Sequence, residues 1–327
     1  MIIKILCKKI LLFLLISLVV FYPNSSLYAA GKEAEEHNKR GLKYLDKEEY
    51  ESALKEFNLA IQLDSNYAEA IKNRGNVYYY QGKLEPALKD YLKAISVDPA
   101  YWQAYNNAAN VYWDMENVQN SLEYYDKAIK ANPSAVLPYW NAGNKYLDLK
   151  QYDTAIQYFQ KGLKIEPNNE EFHAYLGYTL YQVKRVNEAT EHMNKAIKLN
   201  PEYSIPYYDL ATIYYDKAME LNRKYVDSTT NTEADKKLAE GSFNLYNQAL
   251  ENFSKAVELE PDNARYRYRL GLTYFALVED DKALDEYRTG IDLAREQGLS
   301  ELVKLIQDQI NKIQELKEKR KGGNKNK

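Results

Sequence analysis

Thiols are almost missing from this chain. Its single cysteine, Cys7, stands ahead of an apolar stretch and not behind it. It is therefore no lipid-accepting cysteine of a lipoprotein leader, and one thiol excludes a disulfide within the chain. Histidine is nearly as scarce. His37, His173 and His192 show neither paired metal-ligand spacing nor an HExxH motif. No glycine-rich loop follows a strand pattern, so a phosphate cradle is not expected. Carboxylates are plentiful, but they read as solvated helix faces and not as an acid/base pair. The expectation is a protein without catalytic residues, metal or cofactor. A basic surplus is also lacking: 44 Lys and Arg stand against 47 Asp and Glu, a net charge of −3. Nucleic-acid binding needs a basic face, so that class is set aside.

Long apolar runs are absent as well. The longest, 10–22, has thirteen residues, short of the ~20 a membrane-spanning helix needs. It follows a basic start at Lys4, Lys8 and Lys9. It precedes Pro23 to Ser26 and the small residues Ala29 and Ala30. That order is a secretory signal peptide over 1–30, cleaved after Ala29 or Ala30. It places the mature protein outside the cytoplasm, in a periplasm or beyond. Membrane contact is then expected only through the leader, should it stay uncleaved as an anchor.

What the chain has in quantity is tyrosine, 32 residues of it, and many of these tyrosines fall into a period. Gly75, Tyr78, Ala87, Tyr91, Ala94 and Pro99 are followed one step later by Ala109, Tyr112, Ser121, Tyr125, Ala128 and Pro133. Further steps give Gly143, Tyr146, Ala155, Phe159, Gly162 and Pro167, then Gly177, Leu180, Ala189, Met193, Ala196 and Pro201. The step is 34 residues in each case, the length of a helix–turn–helix unit that buries its apolar face only by stacking on its neighbours. Small residues let paired helices approach, aromatics fill the space between units, and proline ends the second helix.

In these residues the chain resembles the tetratricopeptide repeat family. The resemblance implies an all-α fold, a right-handed superhelical solenoid of about seven helix–turn–helix units with a C-terminal capping helix. The solenoid covers 31–298. Its units fall at 34–67, 68–101, 102–135, 136–169, 170–203, 204–263 and 264–297, with the cap at 299–320 and a disordered basic tail at 321–327. The sixth unit carries 26 extra residues. Ala218, Leu221 and Tyr225 continue the helical spacing of its first helix, and Leu238, Leu245 and Ala249 run into its second. Thr230 and Glu233 match a capping box between them. The extra sequence reads as two antiparallel helices lengthened by about 13 residues each, an arm of roughly 20 Å at 1.5 Å per residue.

In the family the first helices line a concave surface, and the repeat register assigns residues to it. Position six holds Asn73, Asn107 and Asn141, and position nine holds Asn76, Asn110 and Asn144. A carboxamide both donates and accepts, so a ladder of them can read a peptide main chain. The resemblance implies that role. A second match, to domains that clamp a terminal carboxylate, covers Lys72, Asn76 and Asn107. It fails at the third repeat, where Leu137 and Asn141 replace the basic pair. Aromatic residues assigned to the same wall include Tyr79, Trp113, Trp140, Tyr178 and Tyr181, with Tyr80, Tyr175, Tyr208 and Tyr215 beside them. Large aromatic anchors suit protein interfaces. Asp46, Asp114, Asp148 and Asp216 tilt the wall acidic, which favours a neutral or cationic peptide.

The expected function is a non-enzymatic extracytoplasmic scaffold that binds an extended peptide or protein segment. Two alternatives stay open. The chain could be a structural adaptor assembling through the helical arm. Tyrosines beside Asn and Asp also suit a cell-wall glycan.

Overall fold

A computed structural model describes residues 30–228 and 232–323, and every element among them is a helix or a short turn. The chain divides into two compact units, the first ending at Lys145 and the second beginning at Tyr146. The leader expected over 1–30 lies, but for Ala30, outside the described residues.

Unit one contains α1 (30–45), α2 (Tyr50–Leu63), α3 (Ala68–Tyr80), α4 (Leu84–Val97), α5 (Trp102–Asp114), α6 (Val118–Ala131) and most of α7 (Val136–Asp148). Here α2, α3, α4 and α5 each pack on the next in line, as do α5 and α6. The pairing of α3 with α4 shows why the sequence spaces small and large residues as it does. A Cβ on Gly75 would stand 2.8 Å from the ring of Tyr91, which is itself 1% exposed. The ring fills the gap that the missing side chain leaves. Beside it, Arg74 grips the buried Asp90 carboxylate through Nε and Nη2, at 2.7 Å each.

Unit two contains α8 (Tyr152–Ile165), α9 (Glu170–Gln182), α10 (Val186–Leu199), α11 (Ser204–Asp227), α12 (Glu233–Leu259), α13 (Ala264–Ala276), α14 (Asp280–Glu296) and α15 (Ser300–Gly323). From α8 onward each helix packs on the next, and α9 also reaches α11. Gly271 and Tyr287 repeat the Gly75–Tyr91 contact at 2.5 Å.

One turn recurs along both units. Glu48, Gly82, Glu116, Lys150, Lys184 and Val278 all take positive φ, between 58° and 71°. The first five stand 34 residues apart, each between the paired helices of a repeat. The next member of that series would be Ala218, which is buried inside α11 instead. The turn is skipped there, so α11 and α12 reach 24 and 27 residues where ordinary repeats have 13 and 14. The capping box expected from Thr230 to Glu233 begins on a residue outside the described ones. A capping box forms two residues later. Thr232 accepts from the Asp235 N–H, and the Asp235 carboxylate accepts from the Thr232 N–H at 2.6 Å.

The last helix also departs from expectation. It runs on to Gly323, so the first three residues of the stretch expected to be disordered are helical. Ion pairs near its end give the reason: Lys317 to Asp281 and Arg320 to Asp280, both 2.5 Å, tie it to the start of α14. Its own Ile306 and Ile313 are fully buried. Residues 324–327 of that tail lie outside the described ones.

Candidate functional site

The amides singled out by register belong to unit one, and all six are already hydrogen-bonded within the protein. Asn73 is buried, at 1% exposure. Its Nδ2 donates to Asn38 Oδ1 at 2.9 Å, and its Oδ1 accepts from Lys72 Nζ at 2.7 Å. Lys72 is half-buried, and burial holds its ammonium below the usual lysine range. Asn76 Oδ1 accepts from both the Tyr91 hydroxyl at 2.8 Å and Asn107 Nδ2 at 2.9 Å. Asn141 Nδ2 donates to Asn106 Oδ1 at 2.9 Å, and Asn106 is as buried as Asn73. Asn110 accepts from the Tyr125 hydroxyl. Asn144 donates to the carbonyl of Trp140, one turn back on its own helix, at 2.9 Å.

The ladder is thus first a set of straps between repeats. Asn73 has no surface to offer a ligand. What remains for one is narrower: the Nδ2 hydrogens of Asn76 and Asn110 and the Oδ1 of Asn141 and Asn144, all on part-buried residues. Register alone missed Asn38 and Asn106, at position five of their repeats. The signal was present, since each stands 35 residues before its partner.

The aromatic residues divide similarly. The Tyr79 hydroxyl donates to Asp114 at 2.6 Å. Burial and that bond push the phenol up to about 12. Trp113 carries the Lys145 ammonium 4.5 Å above its ring. Trp140 is half-buried. In unit two, Tyr215 is buried edge-on against Tyr246, so it does not line an open wall.

Tyr178 and Tyr181 lead to the cavity of most interest, which lies wholly in unit two. It measures about 430 Å³ and is walled by α9, α10, α11 and α13 through Tyr178, Tyr181, Met193, Tyr208, Asp209 and Arg269. Tyr178 is 39% exposed. The Tyr181 hydroxyl donates to Asp216 at 2.5 Å, and Lys184 lies 5.5 Å over the same ring. Arg269 is turned to Asp216 at 3.9 Å and lies over the rings of Tyr215 and Phe253 at 5.0 and 5.5 Å. A smaller cavity of about 220 Å³, between Leu147, Ala174, Tyr175 and Ile205, shares Tyr178 and Asp209 with the first.

Asp209 is the group that sequence reasoning did not select. Among the described residues no hydrogen bond or ion pair reaches its carboxylate. Burial alone pushes it up to about 7. Its register position is six, the one that holds Asn73, Asn107 and Asn141, so the signal lay in the same column. The described residues contain no cluster of His, Cys, Asp or Glu fit to hold a metal, and no helix among them is long and apolar enough to cross a membrane.

Family models agree with this geometry. A model described as TPR repeat matches residues 41–79, 75–116, 143–184 and 244–278. Two described as Tetratricopeptide repeat match 103–134 and 170–203. No curated protein matches the chain by sequence. Among solved structures, a tetratricopeptide repeat protein from Parabacteroides merdae is 19% identical, with a TM-score of 0.57 over 85% of this chain and 100% of its own. The Cut9 and Hcn1 assembly of the APC/C is 17% identical, with a TM-score of 0.55 over 84% of this chain and 46% of the other. The pilF protein of Pseudomonas aeruginosa is 19% identical, with a TM-score of 0.52 over 61% of this chain and 95% of its own. At these identities the likeness is one of fold.

Proposed function

The chain belongs to the tetratricopeptide repeat family, and we propose that it is a non-enzymatic scaffold, exported from the cytoplasm, that holds an extended peptide or protein segment. The observation that carries this reading is the cavity of unit two, where an open tyrosine ring and an unpartnered carboxylate share one concave wall. Ligand sites combine apolar and aromatic walls with a few polar groups that orient the guest. In unit one the free valences of Asn76, Asn110, Asn141 and Asn144 are the main-chain readers. Lys72, Tyr79, Trp113 and Trp140 flank them.

A photo-crosslinking residue at position 178 tests the proposal, with position 191 on the exposed face of α10 as control. A protein adduct from 178 and none from 191, in the native envelope fraction, is the expected result. No adduct from 178 removes the reading. Asn144→Ala tests the other unit, because that amide is tied only to its own helix and its loss leaves the straps intact. Export is tested separately: without 1–30 the protein should accumulate in the cytoplasm.

A second reading has its own observation. The long α11–α12 pair leaves Met219, Tyr225, Val226 and Phe243 exposed at 50%, 40%, 69% and 57%. Apolar exposure of that order supports an adaptor that assembles through the arm. Deleting 217–243 should abolish assembly while crosslinking from 178 persists.

A further inference from the structure

We propose that the cavity at Asp209 receives a basic side chain of the bound segment, with the Asp209 carboxylate as its counter-ion and the rings of Tyr178 and Tyr208 as its walls. This inference rests on the peptide-binding reading above and names what that site selects.

The repeat register supplies the first argument. Asn73 and Asn141, at position six, each bond to the residue 35 places earlier, Asn38 and Asn106. Asp209 stands in the same column, and the residue 35 places before it is Ala174. Alanine offers no donor, and the space it leaves is the smaller cavity, which Ala174 and Asp209 both line. At this step of the stack the internal partner is absent and the position-six residue is anionic. A buried carboxylate without a counter-charge is costly, and folded chains keep such groups where something else pairs with them.

The surroundings supply the second argument. The cation already present, Arg269, is turned to Asp216 and to the rings of Tyr215 and Phe253. Asp209 is half-buried, is raised by desolvation and has no partner among the described residues. Its charge is felt by the phenols of Tyr175, Tyr178, Tyr203, Tyr208 and Tyr266, each of them raised first by burial. Tyr208 is held in place by stacking on Tyr266 at 4.7 Å and by an edge-on contact with Phe253 at 5.5 Å. Tyrosine faces attract a desolvated ammonium or guanidinium. A carboxylate ringed by tyrosines therefore selects a cation over a neutral or anionic guest. It also disfavours a glycan, which brings no charge to satisfy Asp209.

A pH signature follows. In the free protein Asp209 is about half protonated near pH 7. A cation binds the ionised form, so binding releases a proton and weakens as pH falls. From the value near 7, affinity should drop roughly tenfold between pH 8 and pH 6. The other charged groups around the site are Asp148 on α7, Glu171 on α9, Asp216 on α11, and Arg265 and Arg269 on α13. The five tyrosines stay neutral across this window.

The test uses the full chain and four fluorescein-labelled, end-blocked heptapeptides. They differ only at the central residue: arginine, lysine, citrulline or acetyl-lysine. The expected result is at least tenfold tighter binding of the arginine or lysine peptide than of its neutral counterpart, and loss of that preference in Asp209→Asn. The two basic peptides also show which cation the cavity prefers. Removing a buried charge does not endanger the fold, so Asp209→Asn is a safe variant. Ala174→Asn is a second variant: it places a carboxamide where Asn38 and Asn106 stand in their repeats without touching the carboxylate, and in protein shown to be folded it should abolish the same preference. Equal binding of all four peptides overturns the inference and leaves peptide binding standing. Failure of all four to bind the folded wild type, together with absent crosslinking from position 178, overturns both.

Discussion

The Tyr181 hydroxyl donates to the Asp216 carboxylate at 2.5 Å, from the first helix of one repeat to the first helix of the next. The residues stand 35 places apart, one repeat plus one residue. Tyr79 and Asp114 make the same bond in unit one at 2.6 Å. Asn38 with Asn73 and Asn106 with Asn141 follow the same interval in the other direction of donation. A stack of identical helical pairs offers the same side-chain meeting at every step, and this chain places polar pairs at four of them.

Removing the phenol hydroxyls should therefore weaken the stack modestly. Tyr79→Phe and Tyr181→Phe are each expected to cost about 1 kcal/mol, a net hydrogen bond reduced by solvent because the carboxylates are exposed. The pH dependence has a definite sign. Unfolded phenols titrate near 10, and folded Tyr79 only near 12. The stability from this strap is complete below pH 10 and is lost as pH rises toward 12. Denaturant titrations from pH 9 to pH 12 should show a shallower alkaline decline in Tyr79→Phe than in wild type.

His173 and His192 set the acid side. Their Nδ1 atoms lie 2.8 Å apart, and His173 Nε2 donates to the Pro167 carbonyl at 3.1 Å. Burial holds both rings below the ordinary value of 6.5, and the charge of His173 further lowers His192. The neutral pair is the folded form, so its stability is intact above pH 6.5 and is lost as pH falls below it. Asp209 titrates with the opposite sign in that range, so the effect is best read in an Asp209→Asn background. There the melting temperature should fall from pH 6.5 to pH 5, and His192→Gln should reduce that fall.

Asp209→Asn should itself stabilise the protein at pH 8. The carboxyl is raised from 3.8 to about 7 by burial. At ~1.4 kcal/mol per pH unit, holding it ionised costs at most about 4 kcal/mol. The gain should shrink as pH falls from 7 toward 4, where the folded protein already holds the proton. A variant that gains stability and loses its ligand identifies a residue kept for binding. A loss of stability on this substitution would instead assign Asp209 an internal structural role.

Val278 occupies the turn position at φ 64°, where a β-branched side chain is strained. It is 67% exposed and packs little. Val278→Gly should raise unfolding free energy by about 1 kcal/mol. The same change at Lys184, unbranched at the same φ, should gain less. Urea denaturation of the two variants side by side measures the difference.

The turn also marks a limit of sequence reading. Glu48, Glu116, Lys150, Lys184 and Val278 share a left-handed conformation with Gly82, yet their side chains are acidic, basic and β-branched apolar, and none is the glycine or asparagine that this conformation favours. The conformation is imposed by the two helices that must pack across the turn. For the same reason the skipped turn at Ala218 was legible only as extra length and continued apolar spacing. The capping residues came from Thr232 and Asp235, two places beyond the pair the motif suggested. A motif of four common residue types has several registers in a polar stretch, and packing of the lengthened helices selected one.

What the sequence determined by itself was the repeat. A 34-residue period in Gly75, Tyr91 and their counterparts is a local pattern, because each unit touches only its neighbours and every unit must solve the same packing problem. Helix pairing and the glycine–ring contacts follow from it. The column of asparagines was equally visible, but its use was not. Whether a carboxamide faces a ligand or an adjoining repeat depends on which residue stands one repeat and one place away, and on the helix crossing that brings the two together. Tertiary structure decided that Asn73 bonds to Asn38 and is closed to solvent. It also decided that Asp209, in the same column, lines an open cavity and has no hydrogen-bond or ion-pair partner among the described residues.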